Sequence, residues 1–285
     1  MRKIFLGLLF LMTIGFCETK IIDGFSSPES VIIKGEDVYV SNVGEKLEPS
    51  TKDADGFISK LDKSGSIKQL RFIKGLNAPK GMGIIQNILY VADVDSLKGF
   101  DLLNQKEVFS LSFKETKFLN DITVKDSKTL FVSSSDKDAI YEVNLEKETY
   151  KKLLDFNAAN GLYYDDGILY ASELGSSSKN MFDAKGRLYK IDLKNDNKLS
   201  LLSQYEGVLD GVQKVGNKVY VSDWVNFKNS GIIRIIDLKT KQESVLGTNS
   251  LKGAADFIID KKSNKLYIPQ MIAGKLSIID LTTGE

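Results

Sequence analysis

One pattern returns six times along the chain: an anchor residue, a short apolar run, a tight polar turn, then a Tyr- or Phe-bearing strand with a small or polar end. The copies span residues 29–42, 80–93, 120–134, 160–173, 210–223 and 255–270, and their anchors fall 40 to 51 residues apart. Repeats of about 40–50 residues built from short strands are the signature of propeller blades. Within each copy, turns such as Asp166-Gly167 and Gly216-Asn217 supply positive φ, while Val, Ile and Tyr on either side favour extended backbone, so each copy reads as a hairpin.

A third strand follows every hairpin, for example at residues 57–61, 140–143 and 232–236. In the first five copies a more polar fourth strand comes next, as at residues 67–71 and 150–154. The sixth copy lacks a fourth strand, and an unused strand-like piece at residues 20–25 precedes the first anchor. The expected fold is therefore all-β: a six-bladed propeller of four-stranded blades, closed by the N-terminal piece as the outer strand of the last blade. Closure removes an exposed sheet edge and ties down both ends of the domain.

Residues 1–17 have the layout of an export signal: Arg2-Lys3, an apolar stretch over 4–16, then Cys17. The stretch falls short of the roughly 20 residues needed to span a bilayer. Cys17 either ends a cleaved signal or is the lipid-bearing first residue of a lipoprotein anchor. The expectation is an extracytoplasmic, periplasmic or secreted, monomeric protein whose single domain covers residues 18–285, without a transmembrane segment. Beyond Cys17 there is no cysteine, hence no disulfide and no thiolate metal site. The chain also has no histidine, which excludes imidazole ligands and histidine bases. Losing Arg2 and Lys3 leaves 37 basic against 38 acidic residues with no basic cluster, which argues against a nucleic-acid partner. No phosphate-binding Gly-x-x-x-x-Gly-Lys-Ser/Thr loop is present, which argues against a nucleotide.

The anchors, in order, are Glu29, Lys80, Asn120, Asn160, Asp210 and Ala255. Each is expected to open an innermost strand at one face of the disc. Loops 43–56, 174–186 and 224–231 emerge at that face, and long loops on a rigid scaffold are where binding residues concentrate. Glu29, Asn160 and Asp210 each precede the strand tyrosine by ten residues, and Asn120 precedes Phe131 by eleven. Two carboxylates and two carboxamides in one structural slot form a donor set suited to a hard cation such as Ca²⁺. A second ring, Asn42, Asp93, Ser134, Glu173, Asp223 and Gln270, closes the Tyr-Val-Ser-like strands and is expected mainly to satisfy loop backbone. Glu173, Asp223 and the sole tryptophan, Trp224, open long loops on the anchor face and are candidate substrate contacts, as is Asp121 beside its anchor.

The chain resembles the six-bladed, calcium-dependent regucalcin and gluconolactonase propellers, with paraoxonases and diisopropyl fluorophosphatase as more distant relatives. The resemblance rests on Glu29 in the first copy, Asn120-Asp121 in the third, Asn160-Gly161 in the fourth and Asp210-Gly211 in the fifth, and it covers nearly the whole chain after residue 17. It implies hydrolysis of a lactone or related ester at a central Ca²⁺ or another divalent cation. Glu29, Asn120, Asn160 and Asp210 would hold the metal, with Asp210 also the general base. Two positions depart from the family pattern. Glu29 is followed by Ser30-Val31 where the family has Gly-Pro, and Phe118 stands where sugar-lactone members often carry arginine. An aromatic ring there points to a less polar substrate. The competing expectation is a non-catalytic propeller that binds a protein or small ligand, with Lys80 and Trp224 on its recognition surface and any metal structural.

Overall fold

Two-residue turns organise the inner half of each blade. In the computed structural model, which describes residues 19–175, 185–225, 227, 229–247 and 250–283, Asp166 and Gly167 both take positive φ (43° and 84°) between β-paired Asp165 and Ile168. Such a turn matches the right-handed twist of the strands it joins. Gly35 (φ 60°) and Gly216 (φ 56°) serve the corresponding turns of two other blades.

Six antiparallel four-stranded sheets result, five of them ordered as their strands occur in sequence. Blade 1 contains β1 (Pro28–Lys34), β2 (Asp37–Asn42), β3 (Gly56–Asp62) and β4 (Ile67–Leu76). The innermost strands of the next four blades are Pro79–Ile85, Leu119–Asp126, Ala159–Asp165 and Leu209–Val215. Blade 6 is built from Ile258–Asp260, Lys265–Gln270 and Lys275–Asp280, and its fourth strand is the N-terminal Thr19–Asp23. That strand pairs from Thr19↔Ile279 to Asp23↔Lys275, Lys275 forms an ion pair with Asp23 at 3.0 Å, and the Phe25 amide donates to the Gly274 carbonyl. The six-bladed architecture and its closure agree with the pattern in the sequence.

The hydrophobic core is a ring of packed interfaces. The second-strand aromatic of each blade lies against the next blade: Tyr39 with Met82 and Leu89, Tyr90 with Leu119 and Ile122, Phe131 with Leu162 and Leu169, and Tyr170 with Leu209 and Val212. Tyr220 continues the series with Phe257 and Ile268, and Tyr267 completes it against Val31 and Val38 of blade 1. Phe25 joins this last interface, so the closing segment contributes to the core as well as to the sheet.

Blade 6 departs from the expectation that every anchor opens an inner strand. Ala255 precedes the short strand Ile258–Asp260: its amide donates to the Pro269 carbonyl of its own blade at 3.2 Å, but the next amide, that of Asp256, leaves the blade and donates to the Glu29 carbonyl of blade 1 at 3.0 Å.

Deleting residues 19–25 should expose the edge of Lys275–Asp280 and open the blade 6–blade 1 interface. We expect a lower Tm and concentration-dependent aggregation, read by thermal melting and light scattering. An unchanged Tm would show that closure contributes nothing to stability.

Candidate functional site

In five blades the register of the inner hairpin shifts at the anchor, for instance between Pro28 and Val31 opposite Asn42 and Val40. The same shift falls at 79–82, 119–122, 159–162 and 209–212. Such a bulge puts an extra residue into one strand and re-aims its side chain. It is satisfied locally by the serine of the Tyr-Val-Ser-like strand: Ser41 Oγ accepts from the Ser30 amide, Ser133 Oγ from Asp121 and Ser172 Oγ from Gly161. Ser172 and Ser222 also donate across to the carbonyls of Asp210 and Ala255 in the next blade. These serines lay in view within the repeat, but their work at the bulge was not read from it.

The bulges bring Glu29, Lys80, Asn120, Asn160 and Asp210 to one cavity of about 210 Å³, walled by Leu47, Pro49, Phe118, Leu174, Trp224, Phe227 and Met271. All five anchors are buried. Blade order sets Glu29 across the axis from Asn160, and Lys80 across from Asp210. Among the described residues, Glu29 Oε2 and Asn160 Oδ1 are buried without a hydrogen-bond partner. Leaving a buried acceptor unsatisfied costs about 1–3 kcal/mol, so two such atoms on opposite sides of one cavity floor call for a ligand. The Asn160 amide is fixed by its Nδ2, which donates to the Leu209 carbonyl at 2.9 Å, and the Asn120 amide by donation to Ser135 Oγ at 3.2 Å. Trp224 Nε1 donates to Asp210 Oδ2 at 2.8 Å.

Burial dominates the electrostatics. It pushes the Asp210 carboxyl up to about 7, against the lowering effect of Trp224, and it raises Glu29 well above the usual carboxylate range with help from Asp210 and Asp256. Burial also lowers the Lys80 ammonium to about 8, although Glu29, Asp93 and Asp136 oppose the shift. Among the described residues no group of three or more His, Cys, Asp and Glu side chains could hold a metal. The floor offers two carboxylates and two carboxamides instead, and this oxygen set, with its two unpartnered atoms, fits a hard divalent cation that keeps some of its water.

Phe118 and Trp224, candidate substrate contacts, line the cavity. Asp121, Glu173 and Asp223 do not line it. Asp121 accepts from the amides of Ile122 and Leu162, both at 2.6 Å, and with Asp256 it lines a separate cavity of about 170 Å³. Glu173 accepts from the Arg187 amide at 3.0 Å. Asp223 accepts from the Val225 amide, the Tyr205 hydroxyl and Arg234 Nε. The rest of that ring behaves alike: Asn42 and Gln270 accept from the amides of Ser26 and Lys252, Asp93 from those of Asn77 and Ala78, and Ser134 bonds Thr116 and Asp136. Lys80, read from the sequence as part of a recognition surface, is 1% exposed and belongs to the floor. Leu47, Pro49, Leu174, Phe227 and Met271 were not foreseen, since irregular loops carry them without any periodic signal.

No family model matches the chain. It is 25% identical over 236 residues to Antigen Lp49 of Leptospira interrogans serogroup Icterohaemorrhagiae serovar copenhageni (strain Fiocruz L1-130), a match covering 78% of this chain and 50% of that protein. The chain thus spans about half the length of this relative. Among solved structures, a streptogramin B lyase superposes with a TM-score of 0.62 at 11% identity, covering 92% of this chain and 97% of that one. The Kuenenia stuttgartiensis hydrazine synthase gives 0.58 at 14%, covering 86% and 74%. These likenesses show the propeller fold. No helix among the described residues is long and apolar enough to cross a membrane.

The raised Asp210 and Asp256 carboxyls, both at about 7, fix the sign of a pH effect. A carboxyl raised in the folded state stabilises it fully below the unfolded pKa, and that contribution is lost as pH rises through the folded value. In chelator, Tm should therefore fall between about pH 4 and pH 8, by a few degrees or more, since about 1 kcal/mol moves Tm by about 2–4 °C at this size. Asp210→Asn should flatten part of the slope, leaving the part due to Asp256, Glu29 and Asp121. Thermal melts of both proteins across that range provide the check.

Proposed function

We propose that this propeller is an extracytoplasmic hydrolase of a lactone or related ester, dependent on a divalent cation, with Ca²⁺ the best fit to an all-oxygen site. The observation that carries this reading is the pair of unpartnered oxygens, Glu29 Oε2 and Asn160 Oδ1, at the floor of an apolar-walled cavity. Glu29, Asn120, Asn160 and Asp210 would hold the cation, in keeping with the resemblance to regucalcin and gluconolactonase. When bound, such an ion supplies Lewis-acid polarisation of a carbonyl and lowers the pKa of water.

The chain's own residues account for the remaining steps. Asp210, a buried carboxylate on the cavity floor, would serve as the general base and take the proton of the attacking water. Trp224 holds Oδ2 of that carboxylate and so sets its orientation. Phe118, Leu174, Trp224 and Met271 bury the substrate's body and exclude water from the reacting centre. The ring at Phe118, in place of a sugar-binding arginine, supports a substrate less polar than an aldonolactone.

A second reading, a ligand-binding propeller without turnover, has one observation in its favour. Lys80 already places a cationic side chain in the floor, which a purely metal-centred site does not require.

Calorimetric Ca²⁺ titration combined with a lactone and aryl-ester hydrolysis screen separates the two. The hydrolase reading expects Ca²⁺ binding, turnover lost in chelator, a 10²–10⁴-fold fall in kcat for Asp210→Ala with the blades still folded, and at least tenfold weaker Ca²⁺ binding for Asn160→Ala. Ca²⁺ binding without turnover on any ester would leave a binding module, and absence of both would overturn the metal site.

A further inference from the structure

Lys80 is the one anchor whose charge the cation site does not use. Its side chain is fully buried, yet Nζ forms no ion pair among the described residues: it donates to the Ala78 carbonyl at 3.0 Å and lies 4.7 Å from the centre of the Phe118 ring. An ammonium has three N–H donors, so the carbonyl and the ring face leave one for the cavity that Lys80 lines. A buried charge without a counter-charge is costly, and structures keep such a group where a ligand completes it. Glu29 favours the ammonium from close by, but it forms no ion pair with Nζ among the described residues, and a cation held by Glu29 would take up that charge.

We infer that the cavity takes an apolar ligand bearing a single carboxylate, with Lys80 as the counter-charge and Phe118, Leu174, Trp224 and Met271 around the apolar body. The inference deepens the hydrolase reading and rests on it in one respect. A divalent cation balances Glu29 and Asp210, leaving Lys80 as the uncompensated charge, and one positive charge matches a monoanion. A phosphate fits worse, because Lys80 is the single cationic side chain among the described lining residues and cannot balance a second charge. As substrate, the class is an ester or lactone with a free carboxylate on an aromatic or aliphatic frame; as product, it is an apolar acid.

Trp224 is the only tryptophan and lines the cavity, so its fluorescence reports occupancy directly. The test titrates the full chain at pH 7, in Ca²⁺ and in chelator, with phenylacetate against phenylacetamide and with hexanoate against hexanamide. In Ca²⁺ we expect at least one acid to bind tenfold or more tighter than its amide. Lys80→Met should bring that acid to the level of its amide and leave amide affinity unchanged, while Lys80→Arg should retain part of the preference. Equal affinity for acid and amide overturns the inference, as does binding of neither pair. Equal weakening of both by Lys80→Met overturns it too, by reducing Lys80 to a packing role. An acid preference that survives Lys80→Met and vanishes in chelator assigns the anion to the cation instead. The readout is equilibrium binding in the intact protein. Loss of the hydrolase reading would appear in the turnover screen, and loss of this inference in the acid-to-amide ratio of the native chain.

Discussion

No blade of this protein can bury both of its faces alone. Each four-stranded sheet has an apolar face that only the next sheet covers, and the second-strand aromatics Tyr39, Tyr90, Phe131, Tyr170, Tyr220 and Tyr267 pass that dependence from blade to blade. A linear array would leave one such face open. Pairing Thr19–Asp23 with Lys275–Asp280 and packing Phe25 at the blade 6–blade 1 interface closes the ring. Everything at the axis follows from closure, because only a closed ring points the starts of six inner strands at one another.

Convergence carries an electrostatic cost. Glu29, Asp121, Asp210 and Asp256 are all buried near the axis, only Glu29 has the Lys80 ammonium as a neighbour, and burial raises the pKa of every one of the four carboxyls. In a medium of low polarity these groups ionise together only if something balances them. Asp121 and Asp256 are eased by backbone amides and by Ser30 Oγ, which donates to Asp256 at 2.6 Å. Glu29 has no such relief at Oε2. The two cavities therefore differ in kind: the carboxyls of the one lined by Asp121 and Asp256 are met by protein donors, and the one lined by Glu29 and Asn160 is left for a ligand to complete.

The repeat made much of this legible. Glu29, Asn120, Asn160 and Asp210 stand at a near-constant offset before the strand aromatic, and a strand register is the sort of constraint that spacing encodes. Phe118 and Trp224 could be placed because each lies close to that ladder, two residues before an anchor and one after the second ring. Lys80 occupied the same slot, but a lysine at a strand end reads by habit as solvated, and nothing local announced its burial. Asp121, Glu173 and Asp223 misled for the opposite reason. They lie at the mouths of loops, where a carboxylate can serve a ligand or the loop's own amides, and the choice depends on loop geometry that periodicity does not carry. The walls contributed by Leu47, Pro49, Phe227 and Met271 come from irregular backbone and had no signature.

Symmetry alone would make a poor binding site, since six equal anchors present no direction. The sixth sector breaks the pattern. Ala255 brings no polar group, and with Met271, Val43, Val208 and Trp224 it forms an apolar cluster beside the floor. Glu29 and Asp210 flank this sector, and Lys80 follows Glu29 in ring order and lies across the axis from Asp210, so one cavity holds both signs of charge. Trp224 links the two halves, packing in the apolar cluster while its Nε1 holds Asp210. A ligand entering from the loop face meets apolar walls first and charges last. Desolvation thus precedes the electrostatic contact, and each charge at the floor acts with the strength that a medium poor in water allows.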